Sequence, residues 1–251
     1  KLGKVKLSEF SRIPTFGKYI NPRLSFDGLN WWISVGIEMP NMTIDKPVSE
    51  PLGIDVGIKD LATISTGKTC KNINKTKAVK KANKKLNRLQ KQASRQYEKN
   101  YKNKIKGKGK NLLKLEKQIN KTYKRLTNIR TNHLHQATFE MVKNKPEYIV
   151  IEDLNVSGMM KNKHLSKAVA SQCLREFRQQ LEYKCEWYGI ALIIADRWYP
   201  SSKTCSCCGH IKKDLNLSDR VYRCSECGLV IDRDLNASIN LREYPKLAKA
   251  I

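Results

Sequence analysis

The chain has 251 residues, enough for one large domain or two modest ones with a real core. Its formal net charge of +26 points to a polyanionic partner, because self-repulsion of that size is tolerable mainly where phosphates neutralise it. No apolar run reaches the roughly 18 residues of a membrane span and no signal pattern opens the chain, so no membrane partner is expected and the protein reads as soluble and intracellular.

In the first 50 residues, Leu29, Asn30, Trp31 and Trp32 lead into Ile33-Ser34-Val35-Gly36-Ile37, which reads as a strand. Val5, Leu7 and Phe10 allow another upstream. Pro47 and Pro51 mark 46–51 as a linker, since prolines so close together interrupt any ladder. The stretch Leu52-Gly53-Ile54-Asp55-Val56-Gly57 then sets a carboxylate inside an apolar, β-branched strand, and Leu61-Ala62-Thr63-Ile64 follows as a second strand. Burying Asp55 there costs several kcal/mol unless a cation or hydrogen bonds compensate it. Gly53 and Gly57 admit close approach of other backbone or a ligand.

Residues 71–130 hold 22 Lys or Arg against only Glu98 and Glu116, which is +20 of the total +26. Ala82, Leu86, Leu89, Ala93 and Tyr97 recur at helical spacing, as do Leu112, Leu115, Ile119, Tyr123 and Leu126, with Gly107 and Gly109 between the sets. This predicts a helical hairpin. A charge run ordinarily just solvates a helix face, but with so few acids the better reading is a backbone-binding surface for nucleic acid. Lys80, Lys84, Arg88, Lys91, Lys114, Lys121 and Arg125 are its candidate contacts.

Tyr148-Ile149-Val150-Ile151 is a further apolar strand, and it ends in Glu152 and Asp153. From Ser166 to Tyr188, Val169, Cys173, Phe177, Leu181 and Cys185 predict one helix, and 190–195 reads as another buried strand. Ile231-Asp232-Arg233-Asp234 opens a short helix with acids. Alternating strands and helices indicate an α/β layer architecture, and acids at three element ends suggest one metal site. Trp31, Trp32, Trp187 and Trp198 are assigned to the core rather than to base stacking, and His133 and His135 to packing or polar contacts.

Cys205–Cys208 and Cys224–Cys227 are two Cys-x2-Cys pairs separated by 15 residues, each followed by glycine. This is the spacing of a four-thiolate zinc ribbon, with Cys207 and His210 as non-ligating neighbours. Four thiolates close the coordination shell, so this Zn²⁺ is structural and any catalysis falls to the carboxylates.

Gly-Ile-Asp-Val-Gly at 53–57, Ile-Glu-Asp-Leu at 151–154, Pro-Ser-Ser-Lys-Thr-Cys-Ser at 200–206, the paired knuckles and Asp-Arg-Asp-Leu-Asn-Ala at 232–237 together resemble the TnpB family. That family comprises transposon-encoded RNA-guided nucleases related to type V CRISPR effectors and Fanzor proteins. The resemblance implies an α/β, RuvC-like RNase H fold with an inserted basic helical hairpin and a zinc ribbon, preceded by a partial wedge-type β segment. The implied division is 1–50 for the end of the wedge, 51–200 for the nuclease with the hairpin inserted at 71–145, 201–230 for the ribbon, and 231–251 for the last nuclease motif. Family members carry a complete wedge barrel and a helical recognition domain ahead of the nuclease, and residues 1–46 are expected to supply only the wedge's final strands.

The implied catalytic residues are Asp55, Glu152 and Asp234, holding two Mg²⁺ or Mn²⁺ ions for phosphodiester hydrolysis, with Asp55 bridging. Asp232 and Asp153 are the local alternatives, read as a helix cap or a salt bridge, and Arg233 as a balance for its acidic neighbours. The implied partners are a guide RNA and a target DNA, and the implied location is cytoplasmic, nucleoid-associated in a prokaryote. The alternatives are a cleavage-deficient RNA-guided DNA-binding protein, a truncated transposase-accessory protein, or a basic zinc-ribbon RNA-binding protein of ribosomal type, which would leave the three acids unexplained.

Overall fold

Two strands near the start of the chain, β1 (Tyr19–Phe26) and β2 (Trp31–Ile37), pair antiparallel. Asp27 closes their turn by accepting from the backbone N–H groups of Leu29 and Asn30. The partner of the expected strand at 33–37 is β1. Phe10–Arg12 is a 3-10 turn, and Val5, Lys46 and Pro47 lie outside the residues described by this computed structural model, 6–38, 48–216 and 218–248.

The tryptophans assigned to a core are on the surface: Trp31 is 67% and Trp198 84% exposed, and Trp32 and Trp187 are exposed too. Local partners replace a core. Trp31 packs on Phe26 with ring centroids 5.0 Å apart, and Trp187 on Tyr183 at 4.7 Å. Trp32 donates Nε1–H to Asp27, and the Lys124 ammonium lies 4.4 Å from its ring centre.

The helical hairpin forms as α1 (Lys77–Lys102) and α2 (Lys110–Val142). Ala82, Leu86, Leu89, Ala93, Leu112 and Leu126 are buried along it, as their spacing requires. Tyr97 and Tyr123 keep exposed rings, but Tyr97 donates to Glu116, and Gln90 Nε2 donates to the Tyr123 hydroxyl at 2.5 Å. The chain divides into two compact units, residues 1–43 with 85–124 and residues 44–84 with 125–251. Both helices contribute to each.

The second unit is built on a mixed sheet of β3 (Leu52–Val56), β4 (Ala62–Ile64), β5 (Thr69–Cys70), β6 (Tyr148–Glu152) and β7 (Ala191–Ala195). Its order is β5-β4-β3-β6-β7. The first three strands are antiparallel neighbours, while β3–β6 and β6–β7 are parallel. Strand alternation divides the side chains between two faces. Ile54, Ile149 and Ile151 pack with Leu134, Ala137 and Met141 of α2, whereas Val150 packs on the opposite face against Leu241 of the last helix. Gly53, Asp55 and Glu152 share that second face by the same alternation.

After β6 come α3 (Val156–Lys161), α4 (Ser166–Gln172) and α5 (Leu174–Tyr188). The single helix expected over 166–188 is thus broken, because Cys173 adopts the left-handed conformation with φ 54°. The break lets buried Gln172 turn its amide toward the loop after β3, where Nε2 donates to Gly57 O at 3.1 Å. His133 and His135 make polar contacts, with Lys71 O at 2.9 Å and the Tyr183 hydroxyl at 3.4 Å. A short hairpin, β8 (Val221–Arg223) and β9 (Val230–Asp232), leads directly into α6 (Arg233–Ala248). No helix among the described residues is long and apolar enough to cross a membrane.

Candidate active site

Gly53 determines how closely the last helix approaches the sheet. A Cβ there would stand 1.9 Å from Ser238 O and 2.4 Å from Arg242 N, so α6 lies directly on β3 only because position 53 has no side chain. That close approach brings the start of α6, with Asp234 in its first turn, to the end of the sheet where Asp55 and Glu152 stand.

Asp55 senses the other two carboxylates. The Asp55 carboxyl is pushed well above its ordinary range, first by burial and then by the charges of Glu152 and Asp234. Glu152 is also raised by burial, opposed by a hydrogen bond that the Ser201 hydroxyl donates to its Oε1. The acids are not drawn tightly together. Among the described residues, the group of three or more potential ligands whose donor atoms all lie within 4.8 Å of one another is the four cysteines.

The neighbouring acids have other duties. Asp232 Oδ1 accepts from the backbone N–H of Asp234 at 3.0 Å and of Leu235 at 3.1 Å, so it caps α6. Asp153 takes Arg197, which lowers its pKa most, and Arg178 at 3.1 Å. Arg233 Nη2 lies 3.4 Å from Asp234 Oδ1, a balancing contact. Glu152 and Asp153 are adjacent in sequence yet differ in electrostatics: a neutral hydroxyl holds the first and two guanidiniums the second. An open cavity of about 460 Å³ adjoins Glu152, with Arg175, Arg178 and Arg197 among its lining residues.

Sequence patterning gives no individual role to the residues between β7 and the first cysteine, yet their hydrogen bonds are specific. Asn240 Nδ2 donates to Ser201 O at 2.7 Å and to Thr204 O at 2.6 Å. Asn236 Nδ2 donates to Thr204 O at 2.7 Å, and its Oδ1 accepts from Ser206 N–H at 3.0 Å. Two buried asparagines of α6 therefore clasp the chain immediately around Cys205.

Cys205, Cys208, Cys224 and Cys227 converge as expected. Cys205 and Cys227 sulfurs are 3.6 Å apart, as are those of Cys208 and Cys224. Four Zn–S bonds of about 2.3 Å at tetrahedral angles put sulfurs about 3.8 Å apart, so the donor set fits zinc. Gly209 and Gly228, with φ of 76° and 72°, complete the two turns in the left-handed region. Backbone N–H groups, Cys227's first, draw the Cys224 thiol down to about 6, toward the thiolate that a metal needs. Buried Tyr222, with Leu215, Leu229 and Ile231, packs around the knuckle. The seven basic candidates, Lys80, Lys84, Arg88, Lys91, Lys114, Lys121 and Arg125, are all exposed on α1 and α2.

The chain is thus an α/β protein with a mixed sheet, acids at three element ends and a cluster of four cysteines. Residues 34–163 match the family described as "Probable transposase" (OrfB of IS605), and residues 175–241 match the "Cas12f1-like, TNB domain". The chain belongs to this OrfB, or TnpB, family. It is 36% identical over 212 residues to a Streptomyces pristinaespiralis protein named "Putative RNA-guided DNA endonuclease", covering 84% of this chain and 49% of that protein. It is 33% identical over 226 residues to the Escherichia coli K12 protein "Putative RNA-guided DNA endonuclease InsQ", covering 84% and 53%. The chain therefore spans about half the length of these relatives. Its fold resembles that of Cas12f in a ternary complex, with a TM-score of 0.55 at 24% identity over 84% of this chain and 42% of the other. It also resembles Cas12f1 in a complex with sgRNA and target DNA, with a TM-score of 0.51 at 20% identity over 86% and 54%.

Proposed function

We propose that this chain is the catalytic part of an RNA-guided, metal-dependent DNA endonuclease with a RuvC-like RNase H core, hydrolysing DNA phosphodiesters at Asp55, Glu152 and Asp234. The observation that carries the reading is the gathering of these three acids at one end of the sheet, where burial first, and then the charges of Glu152 and Asp234, raise the Asp55 carboxyl well above its ordinary range. Hard carboxylate oxygens suit Mg²⁺ or Mn²⁺, which when bound supply an activated water and charge neutralisation at the leaving oxygen. The strand order, three antiparallel strands followed by two parallel ones with the acids on β3, β6 and the start of α6, supports the RuvC-like assignment.

The chain's own residues divide the work. Asp55, central on β3, would hold the divalent cations together with Glu152 at the end of β6 and Asp234 in the first turn of α6. Asp153 does not compete, because two guanidiniums already neutralise it. The four cysteines hold one structural Zn²⁺, and the sulfur spacing supports this. The exposed lysines and arginines of α1 and α2 neutralise guide-RNA or target-DNA backbone.

Cleavage of a guide-matched DNA duplex by the RNA-loaded protein with Mg²⁺ tests the reading. Asp55→Ala and Asp234→Ala should abolish cleavage and leave RNA binding nearly intact. Full activity in Asp55→Ala removes the nuclease assignment.

A further inference from the structure

Ser201 is 3% exposed and makes two hydrogen bonds that join otherwise separate elements. Its hydroxyl donates to Glu152 Oε1 at the end of β6, and its carbonyl accepts from Asn240 of α6 at 2.7 Å. Asn240 is itself anchored, donating also to Thr204 O at 2.6 Å while its own carbonyl accepts from the Tyr199 hydroxyl at 3.2 Å. Asn236, fully buried one turn earlier, holds Thr204 O and Ser206 N–H on either side of Cys205. The same helix carries Asp234. One continuous set of bonds thus runs from Glu152 through Ser201 and α6 to the first knuckle.

We propose that Ser201 is the positioning residue of the second acid, fixing one Glu152 oxygen so that the other is presented to a divalent cation, with Asn240 and Asn236 setting where Ser201 stands. The inference rests on the three-acid reading of the site. A hydroxyl suits this task because it is neutral. It orients the carboxylate and leaves its charge for the ion, whereas the guanidiniums on Asp153 use that charge up. Depth of burial supplies the rigidity, since a donor enclosed in this way has few alternative rotamers. Because Ser201 and Cys205 are clasped by the same helix, the zinc knuckle and the spacing of Glu152 from Asp234 form one mechanical unit.

The test is titration of the zinc-loaded full chain with Mn²⁺, followed by calorimetry, on the unaltered protein and on Ser201→Ala, Ser201→Thr and Asp55→Ala. Ser201→Ala should weaken Mn²⁺ binding by about 10- to 100-fold, the usual cost of removing a group that orients a metal ligand. Its zinc content should stay at one ion per chain, which a misfolded knuckle would not show. Ser201→Thr, which keeps the hydroxyl, should restore most of the affinity. Mn²⁺ affinity unchanged in Ser201→Ala but abolished in Asp55→Ala would overturn the role of Ser201 and leave the three-acid site standing. Affinity abolished in Ser201→Ala and not regained in Ser201→Thr would overturn the role of the hydroxyl. Affinity unchanged in Asp55→Ala as well would overturn the acid site and this inference together.

Discussion

The knuckle and the acid site are two ligand sets of opposite chemistry, soft sulfurs in one and hard oxygens in the other, and they are assembled differently. The four sulfurs come from two local turns and already lie within 4.8 Å of one another. The three carboxylates come from a strand, a strand end and a helix start, and no local turn gathers them. Local turns bring the thiols to metal spacing, and backbone N–H groups there stabilise the Cys224 thiolate. Carboxylates brought together by tertiary packing repel one another, and that repulsion adds to burial in raising the Asp55 carboxyl.

The largest expected effect breaks the knuckle. Cys227→Ser or chelation should remove zinc and with it on the order of 10 kcal/mol of local folding energy, since binding and folding are coupled. β9 runs into α6, so loss of the knuckle should also abolish cleavage. Metal analysis with thermal unfolding checks this, and Cys207→Ser is the variant that should leave both unchanged.

Next comes Asp55. Asp55→Ala should lower cleavage by at least about 10³-fold while zinc content stays unchanged, which separates the two centres. Its raised folded-state pKa also fixes a sign. A carboxyl raised by folding adds no penalty below its ordinary pKa, and its cost grows as pH rises toward the folded value. Without Mg²⁺, the zinc-loaded protein should therefore lose stability as pH rises above the usual carboxylate range. Asp55→Asn should flatten that decline in denaturant titrations.

Gly53→Ala tests the approach of α6 to β3. A Cβ 1.9 Å from Ser238 O forces the helix away, and a destabilisation of about 3 kcal/mol in thermal or denaturant unfolding is expected. Charge reversal at Lys84, Arg88, Lys114 and Lys121, outside both centres, should flatten the salt dependence of RNA binding. The log–log slope should fall by up to about 0.9 for each phosphate that is no longer neutralised, measured by anisotropy. Smallest is Asp232→Ala. It should cost about 1 kcal/mol through removal of the cap and leave cleavage within about tenfold, whereas Asp234→Ala should abolish it.

The parts of the molecule that are legible in sequence are those with a period or a fixed spacing. Short apolar, β-branched runs mark β3, β4 and β6, the 3.6-residue repeat marks α1 and α2, and the cysteine spacing marks the knuckle. Side chains that act across distant elements carry no such signature. Ser201 and Asn236 stand inside motifs that carry the family resemblance, yet nothing local in those motifs says what their side chains bond, and Asn240 differs in no local way from a solvent-facing asparagine. The break at Cys173 is hidden because Val169, Phe177, Leu181 and Cys185 keep helical spacing across it, and all are buried. The exposed tryptophans depart from expectation for the opposite reason: strand composition says that a side chain lies on a sheet, not which sheet face is covered.

The pairing of Leu52 with Ile149 joins strands about 97 positions apart in sequence, and most of that interval is α1 and α2. Closing a flexible loop of that length would slow folding, with each doubling of loop length costing about 0.6 kcal/mol. Here the two helices return the chain to its origin, for Arg130 Nε donates to Asn74 Oδ1 at 2.9 Å. Helices form in about a microsecond, well before non-local strands pair, and the Asn74–Arg130 contact leaves about 41 residues of the interval to close, a little over one halving, which speeds that pairing roughly three- to fourfold. The basic insertion thus also shortens the loop that the pairing of β3 with β6 must close.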